Sequence, residues 1–186
     1  MNNNMNAKET ITKMIKSAGF TNIGEIAVEN IDYHKDLRAM CEMNTCGRYG
    51  STWNCPPVIG SFEELSEQCK SYNNGFIFSF VTELEDSFDF ETMAEAGSEL
   101  CRKLCKLEEE LLTDISSYKI YGSGACFSCE KCTYPDNPCL HPEMCFIPIE
   151  ACGIYVTNVA KEAGLSYNNG KDTVTFFGML MYNLKS

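Results

Sequence analysis

The sequence predicts an α/β fold, with α+β as the alternative, in which helices flank a small mixed sheet. Segments with helical spacing of apolar residues alternate with short segments rich in aromatic and β-branched residues, as in layered domains. The chain has 186 residues, 44% of them hydrophobic, which is enough for one domain with a core. We therefore expect a single domain over residues 1–186, with irregular cysteine-rich segments at 38–60 and 122–148.

Apolar residues at helical spacing predict four helices. They cover residues 7–18, 62–72, 90–115 and 150–163. Ser61, followed by two glutamates, is typical of the N-cap of the second helix. Aromatic and β-branched content predicts strands. They cover residues 21–28, 75–82, 118–122 and 173–182.

Charge and hydropathy exclude several classes of function. Asp and Glu number 26 against 15 Lys and Arg, for a formal charge of −11, which opposes binding to nucleic acid or to an anionic membrane surface. No apolar run is long enough to span a bilayer. The first ten residues lack the apolar region of a secretory signal, so we expect a cytoplasmic protein.

Cysteine is unusually frequent. Twelve of the 186 residues are cysteine, a share below the roughly 8–10% that is typical of small secreted disulfide scaffolds. Thiols stay reduced in the cytoplasm. The cysteines are therefore better interpreted as metal ligands together with a few buried thiols.

The second cysteine-rich segment contains Cys126-x2-Cys129-x2-Cys132-x6-Cys139. Closely spaced thiolates of this kind hold iron–sulfur cubanes in bacterial ferredoxins, whereas zinc usually takes two pairs of ligands that are far apart in sequence. The spacing predicts one [4Fe–4S] cluster on these four residues, with a zinc site as the alternative. Cys145 and His141 are substitute fourth ligands.

The first cysteine-rich segment contains Cys41-x4-Cys46-x8-Cys55, followed directly by two prolines. Three thiolates without a nearby fourth could leave a metal position open for chemistry. The site could also close by taking Cys145, His34 or His141 as its fourth ligand. Arg48 and Trp53 lie between these cysteines and are candidates to face a substrate. Packing of the loop is the alternative role for the aromatic residue.

The remaining cysteines fall inside the predicted helices, where a free thiol behaves as a small hydrophobic group. They are Cys69, Cys101, Cys105 and Cys152. For Cys101 and Cys105, which are four residues apart, the alternative is that both bind a metal from one face of the helix. Glu150 lies in the first turn of the last predicted helix, where a carboxylate is favourable. A proton-handling role beside a metal is the alternative for this residue.

The two cysteine patterns together resemble a family of predicted metal-binding proteins, domain of unknown function 2284. The resemblance covers Cys41 to the C-terminus and rests on both cysteine patterns and on the short motifs around them. These motifs are Tyr49-Gly50, Trp53-x-Cys55-Pro56-Pro57, Pro138-Cys139, His141-Pro142, Glu150-Ala151 and Gly153-Ile154. Family members have a basic stretch and a Pro-Ser pair before Glu-Ala, whereas residues 144–149 here are Met-Cys-Phe-Ile-Pro-Ile. The resemblance implies metal binding and gives no reaction.

Three functions follow from these patterns. The first is a redox protein with one or two [4Fe–4S] clusters, which passes electrons to a partner protein or acts on a small molecule. The acidic surface would suit a partner with a basic patch. The second is a zinc-stabilised binding module. The third is a metalloenzyme that uses the open site of Cys41, Cys46 and Cys55 on a small molecule.

Overall fold

The computed structural model describes residues 2–111 and 115–185. The helices are α1 (Asn2–Ser17), α2 (Lys35–Glu42), α3 (Phe62–Lys70), α4 (Phe90–Glu110) and α5 (Val156–Glu162). The strands are β1 (Asn22–Ile26), β2 (Asn74–Glu83), β3 (Ile115–Tyr121) and β4 (Thr173–Leu184). Short 3₁₀ helices cover Val28–Asn30, Pro142–Met144 and Ile149–Cys152.

The strands form one sheet in the order β1-β2-β4-β3, and every neighbouring pair is antiparallel. The predicted class, a small sheet flanked by helices, is confirmed in its α+β alternative. The sheet is antiparallel rather than mixed. The ten-residue β2 pairs along its full length with β4, near the C-terminus, so the strongest strand pairing joins distant parts of the chain.

Helices cover both faces of the sheet. On one face, Phe76 and Phe78 of β2 pack with Ile11 of α1 and with Leu100 and Leu104 of α4. On the other face, Ile77 of β2 packs with side chains of α3 and α5. These include Leu65, Cys69, Val156 and Val159. Because successive side chains of a strand point to opposite faces, a central strand between two helical layers is buried almost continuously.

Several predicted elements are correct and two boundaries are wrong. The Ser61 cap is confirmed as a capping box, in which the Ser61 hydroxyl accepts from the Glu64 N–H and Glu64 reaches back to the Ser61 N–H. The helix predicted for 90–115 ends at Glu110, and Ile115 belongs to β3; residues 112–114 of that prediction lie outside the described part. The helix predicted for 150–163 is interrupted at Gly153, whose φ of 80° is left-handed.

The fold closes the second cysteine-rich segment at its base. The Gly122 N–H donates to the Ile147 oxygen at 3.0 Å, and the Ile149 N–H donates to the Gly122 oxygen at 2.8 Å. This short parallel bridge continues β3 and brings the two ends of the segment together. The first segment was expected to be irregular, but its first five residues belong to α2, which packs against the 3₁₀ helix Ile149–Cys152.

No helix within residues 2–111 or 115–185 combines the length and the apolar character needed to cross a membrane.

Candidate metal centre

The two cysteine-rich segments meet at a cavity of about 440 Å³. The second segment contributes five thiols to its wall, those of Cys126, Cys129, Cys132, Cys139 and Cys145. Residues 47–53 of the first segment, apart from Tyr49, form the facing wall. The fold thus brings together two patterns that are about 70 residues apart in the sequence.

Short hydrogen-bonded turns orient the thiols of the second segment. The Thr133 hydroxyl donates to the Pro138 oxygen at 2.8 Å, and the Asn137 N–H donates to the Thr133 oxygen at 3.0 Å. These bonds close the loop between Cys132 and Cys139. The six-residue gap between these cysteines therefore folds into a turn that keeps both thiols on the cavity wall.

The thiols of the second segment are close enough to influence one another's ionisation. Burial, followed by the charges of Cys139 and Cys126, raises the pKa of Cys145 to about 12. Burial, together with the charges of Cys126, Cys139 and Cys132, also raises the pKa of Cys129. Neighbouring thiolates repel one another, so a bound cation would be needed to hold the group fully ionised.

Cys101 of α4 joins this group, which the sequence did not predict. The Cys101 thiol donates a hydrogen bond to the sulfur of Cys126, and this bond is the main reason that the pKa of Cys126 is lowered. Cys101 is 6% exposed; it was expected to pack in the core, with metal binding together with Cys105 as the alternative. Its position one helical turn before Cys105 gives no sign of the contact, because the contact arises from tertiary packing.

The thiols of the first segment are not part of the cavity wall. We call Cys41, Cys46 and Cys55 the first group. Cys41 is at the end of α2, Cys46 is exposed and Cys55 is buried. Burial raises the pKa values of Cys41 and Cys55, and the charge of Cys46 raises both further. The turn between Cys41 and Cys46 is held by Asn44, whose Oδ1 accepts from the Tyr49 N–H at 3.0 Å.

A buried arginine lies next to the first group. Arg38 of α2 is 7% exposed, and its guanidinium donates to the oxygens of Ala151, at 3.2 Å, and Gly60. Burial raises the pKa of Cys41, and the positive charge of Arg38 opposes part of this rise. A fixed cation at this position favours thiolates over thiols and would partly neutralise an anionic metal–thiolate centre.

Glu150 is a second charged residue in this region, and it is half-buried. Its Oε2 atom is buried and has no hydrogen-bond partner among the described residues. The carboxyl accepts from the Gly124 N–H and its own N–H, yet burial raises its pKa. Glu150 lies in the first turn of a helix, as expected, but this helix is the 3₁₀ helix that ends before Gly153 rather than the long helix predicted for 150–163.

Asn54 connects the two segments, and the sequence analysis did not identify it. It is 3% exposed, and its side-chain NH₂ donates to the oxygens of Phe146 at 3.2 Å and Gly124 at 3.5 Å. Its Oδ1 accepts from the Cys126 N–H at 3.2 Å. The sequence feature that could have identified Asn54 is its position directly before Cys55. A buried amide at such a position needs hydrogen-bond partners, which indicates a structural contact.

Trp53 is a second connection between the segments. Its Nε1 donates to the Asn137 oxygen at 3.2 Å, and its ring lies edge-on to Tyr134 with centroids 5.0 Å apart. Arg48 also faces the cavity, with its guanidinium 5.9 Å from the Phe127 ring centroid. Both residues line the cavity between the two segments, whereas they were predicted to face a substrate at the site of Cys41, Cys46 and Cys55. Trp53 also packs against the loop, which was the alternative role.

The two histidines have different positions. His141 lines the cavity, 3.4 Å from the Glu143 carboxylate. His34 lies at the start of α2 with its ring 4.7 Å from that of Tyr155, and it is not part of the cavity wall. The predicted role of His34, as a fourth ligand for Cys41, Cys46 and Cys55, stays a prediction.

The other cysteines have mostly structural environments. Cys69 and Cys152 are 0% exposed in the core, and the Cys69 thiol donates to the Tyr121 hydroxyl oxygen at 3.3 Å. Cys105 is half-buried and donates to the Glu143 oxygen at 3.2 Å. These three agree with the predicted packing role, whereas Cys101 does not serve packing alone.

The donor set suits a metal that binds sulfur, because clustered thiolates select zinc or iron–sulfur clusters. Across residues 2–111 and 115–185, no three His, Cys, Asp or Glu side chains converge on one point that could hold a single ion. The five thiols of the second segment surround a cavity instead. The residues present therefore fit a thiolate-bound centre.

The chain belongs to a family of predicted metal-binding proteins, domain of unknown function 2284, whose sequence model matches residues 24–182. That range contains both cysteine-rich segments. No curated protein and no solved structure matches the chain.

Proposed function

We propose, from membership of this metal-binding family, that the protein is an iron–sulfur redox protein. Its principal [4Fe–4S] cluster would be held by Cys126, Cys129, Cys132 and Cys139. One observation carries the proposal: these four thiols, together with Cys145, surround one cavity of about 440 Å³. When bound, such a cluster supplies one-electron transfer.

The arrangement of the thiols favours a cluster over a single zinc ion. Tetrahedral zinc with bonds of about 2.3 Å to sulfur requires its ligands to converge on one point. The cysteines of the second segment line a space instead, without three converging side chains in the part of the chain that the structure describes. A cubane occupies such a space and binds one thiolate at each iron.

The surroundings of the cavity would tune the cluster. Gly124 and Ser128 flank Cys126, and the Ser128 hydroxyl is 3.3 Å from the Cys126 sulfur. Hydrogen bonds to cluster sulfurs raise the reduction potential, and exposure of the cluster to solvent also changes this potential. Cys145, on the same wall, is the substitute ligand if Cys139 does not bind.

The test is to purify the protein without oxygen and to measure iron, acid-labile sulfide and zinc per chain. We expect iron and sulfide in near-equal amounts with a visible charge-transfer spectrum. Cys129→Ser should remove both, whereas Cys105→Ser, a matched thiol outside the cavity wall, should retain them. Stoichiometric zinc in a colourless protein would support the zinc-stabilised module instead.

A metalloenzyme is the second candidate, and the size of the cavity favours it. Its volume of about 440 Å³ lies within the range of roughly 300–1,000 Å³ that is typical of small-molecule sites. Arg48 and Trp53 on the facing wall offer a cation and an aromatic surface to a bound molecule. A screen for small molecules that change the spectrum of the loaded wild-type protein, but not of Arg48→Met, would identify such a site.

An electron partner would have a basic surface, because this chain has a formal charge of −11. Opposite charges accelerate association, and salt screens the effect. Reduction of the protein by a basic redox protein should therefore slow as ionic strength rises. A rate that is independent of salt would exclude charge-guided docking.

A further inference from the structure

We propose that the cavity binds a small organic anion, whose carboxylate or phosphate group is held by Arg48 and Lys131 and whose apolar part packs on Trp53. This inference rests on the proposed function, because it concerns the same cavity, and it names the class of molecule that the cavity takes. Its basis is the lining of the cavity, which carries positive charge in a chain whose formal charge is −11.

The charge of the cavity wall is opposite to that of the chain. Acidic residues outnumber basic ones by 26 to 15 in the sequence. On the cavity wall, Arg48 and Lys131 provide two positive charges, and among the described residues that line it Glu130 alone has a carboxylate. A concave wall of one sign concentrates small ions of the opposite sign. The local charge therefore favours an anion, although the chain as a whole is acidic.

Ion pairs within the fold do not use either of these cations. In the part of the chain that the structure describes, no carboxylate forms an ion pair with Arg48 or Lys131. By contrast, Arg102 of α4 pairs with Glu99 at 3.0 Å. The two side chains on the cavity wall are exposed, so their N–H groups can reach a molecule that enters the cavity. An arginine can hold a carboxylate or a phosphate through two parallel hydrogen bonds.

Arg48 is positioned by an aromatic ring that is itself fixed. Its guanidinium lies 5.9 Å from the centroid of the Phe127 ring, within the range of a cation–π contact. Phe127 packs so closely on α4 that a Cβ atom at Gly97 would lie 2.3 Å from its ring. The Ser98 hydroxyl of α4 also donates to the Phe127 oxygen, at 2.8 Å. The helix therefore holds the ring that supports the guanidinium, which lowers the entropy cost of binding an anion.

Trp53 provides an apolar surface on the same wall as Arg48. Its contacts with Asn137 and Tyr134 fix the indole ring in place. An inorganic anion would need the cations alone. The fixed aromatic ring and the cavity volume of about 440 Å³ are typical instead of sites for small organic molecules, which combine apolar surface with a few placed polar groups. The lining therefore favours an organic anion.

The experiment titrates the full-length protein, isolated without oxygen, with benzoate and with phenyl phosphate, which carry the two kinds of oxyanion. Benzamide, which has the ring of benzoate but no charge, is the control ligand. Calorimetry measures the affinity. Trp53 is the only tryptophan of the chain, so a change in tryptophan fluorescence places the bound molecule at this cavity. Iron and sulfide are measured in every sample.

The variants are Arg48→Met and Lys131→Met, each of which removes one charge at an exposed position and should fold. We expect each to weaken anion binding by about 10–100-fold, the loss that follows when one charge-assisted hydrogen bond is removed. Arg48→Lys should recover part of the affinity, because it keeps the charge but not the two parallel hydrogen bonds. Arg102→Met, at an exposed position outside the cavity wall, is the matched control and should bind as the wild type does.

Three results would overturn the inference. One is that benzamide binds as tightly as benzoate. Another is that Arg48→Met and Lys131→Met bind the anions with the affinity of the wild type. The third is that neither anion binds at millimolar concentration, in which case the two cations only balance the charge of a metal centre. The metal content decides the proposed function separately: protein that lacks metal but binds the anions as described would refute that function and support this inference.

Discussion

Asn54 is predicted to hold the two cysteine-rich segments together, and Asn54→Ala tests this. The amide makes two well-formed hydrogen bonds across the segments, to the Phe146 oxygen and from the Cys126 N–H, each at 3.2 Å. A longer one reaches the Gly124 oxygen at 3.5 Å. Alanine removes all of them and leaves a small void at a position that is 3% exposed.

The magnitude follows from the two shorter bonds. Leaving one buried polar group without its partner costs about 1–3 kcal/mol. Water can reach part of the segment, so the lower half of that range applies to each group. We therefore expect Asn54→Ala to reduce the free energy of unfolding of the metal-free protein by about 2–4 kcal/mol. The affinity of the second segment for metal should fall by about 10–100-fold.

The assay is urea unfolding of the metal-free protein, followed by zinc titration of the folded protein. Asn158→Ala, at an exposed position on α5, is the matched control and should change either quantity little. A loss of less than about 0.5 kcal/mol, the range of ordinary surface substitutions, would refute the bridging role of Asn54. So would weakened metal binding of equal size in both variants.

Three further predictions concern packing, backbone conformation and pH. Gly97→Ala places a methyl group against the Phe127 ring, so it should lower the free energy of unfolding in urea by about 1–3 kcal/mol. It should also lower the iron content, because the loop before Cys129 is displaced. Unchanged iron would contradict this. Gly153→Ala forces alanine to a φ of 80° and should lower the free energy of unfolding by about 1–2 kcal/mol. Thermal unfolding measures this, and an unchanged melting temperature would contradict the prediction. The pKa of Glu64 is lowered from 4.5 because the Ser61 N–H and hydroxyl donate to its carboxylate. The ionised carboxylate therefore stabilises the fold above pH 4.5, and this contribution is lost as the pH falls through the lower pKa of the folded state. Glu64→Gln should flatten this part of the acid-unfolding curve.

The sequence predicted the features that depend on local spacing. The cap at Ser61 was recognisable because both partners lie within one helical turn. The Cys-x2-Cys-x2-Cys pattern placed its thiols correctly on a common wall because each loop is too short to separate them. Strand β2 was recognisable from its aromatic content.

The features that it missed depend on tertiary contacts. Cys101 reaches Cys126 through the packing of α4 on the second segment, and no spacing in the sequence encodes that contact. Gly153 interrupts a helical pattern because its left-handed conformation turns the chain. Helix α2 buries Arg38 rather than an apolar face, and it packs on the 3₁₀ helix that carries Glu150.

X-ray absorption at the iron and zinc edges of protein isolated without oxygen tests the central claim most directly. We predict iron in a sulfur environment with a short iron–iron distance, at a level of at least one cluster per chain, which Cys129→Ser abolishes. Zinc with four sulfur ligands at about 2.3 Å in place of iron would contradict the iron–sulfur assignment. Protein without either metal would contradict metal binding itself.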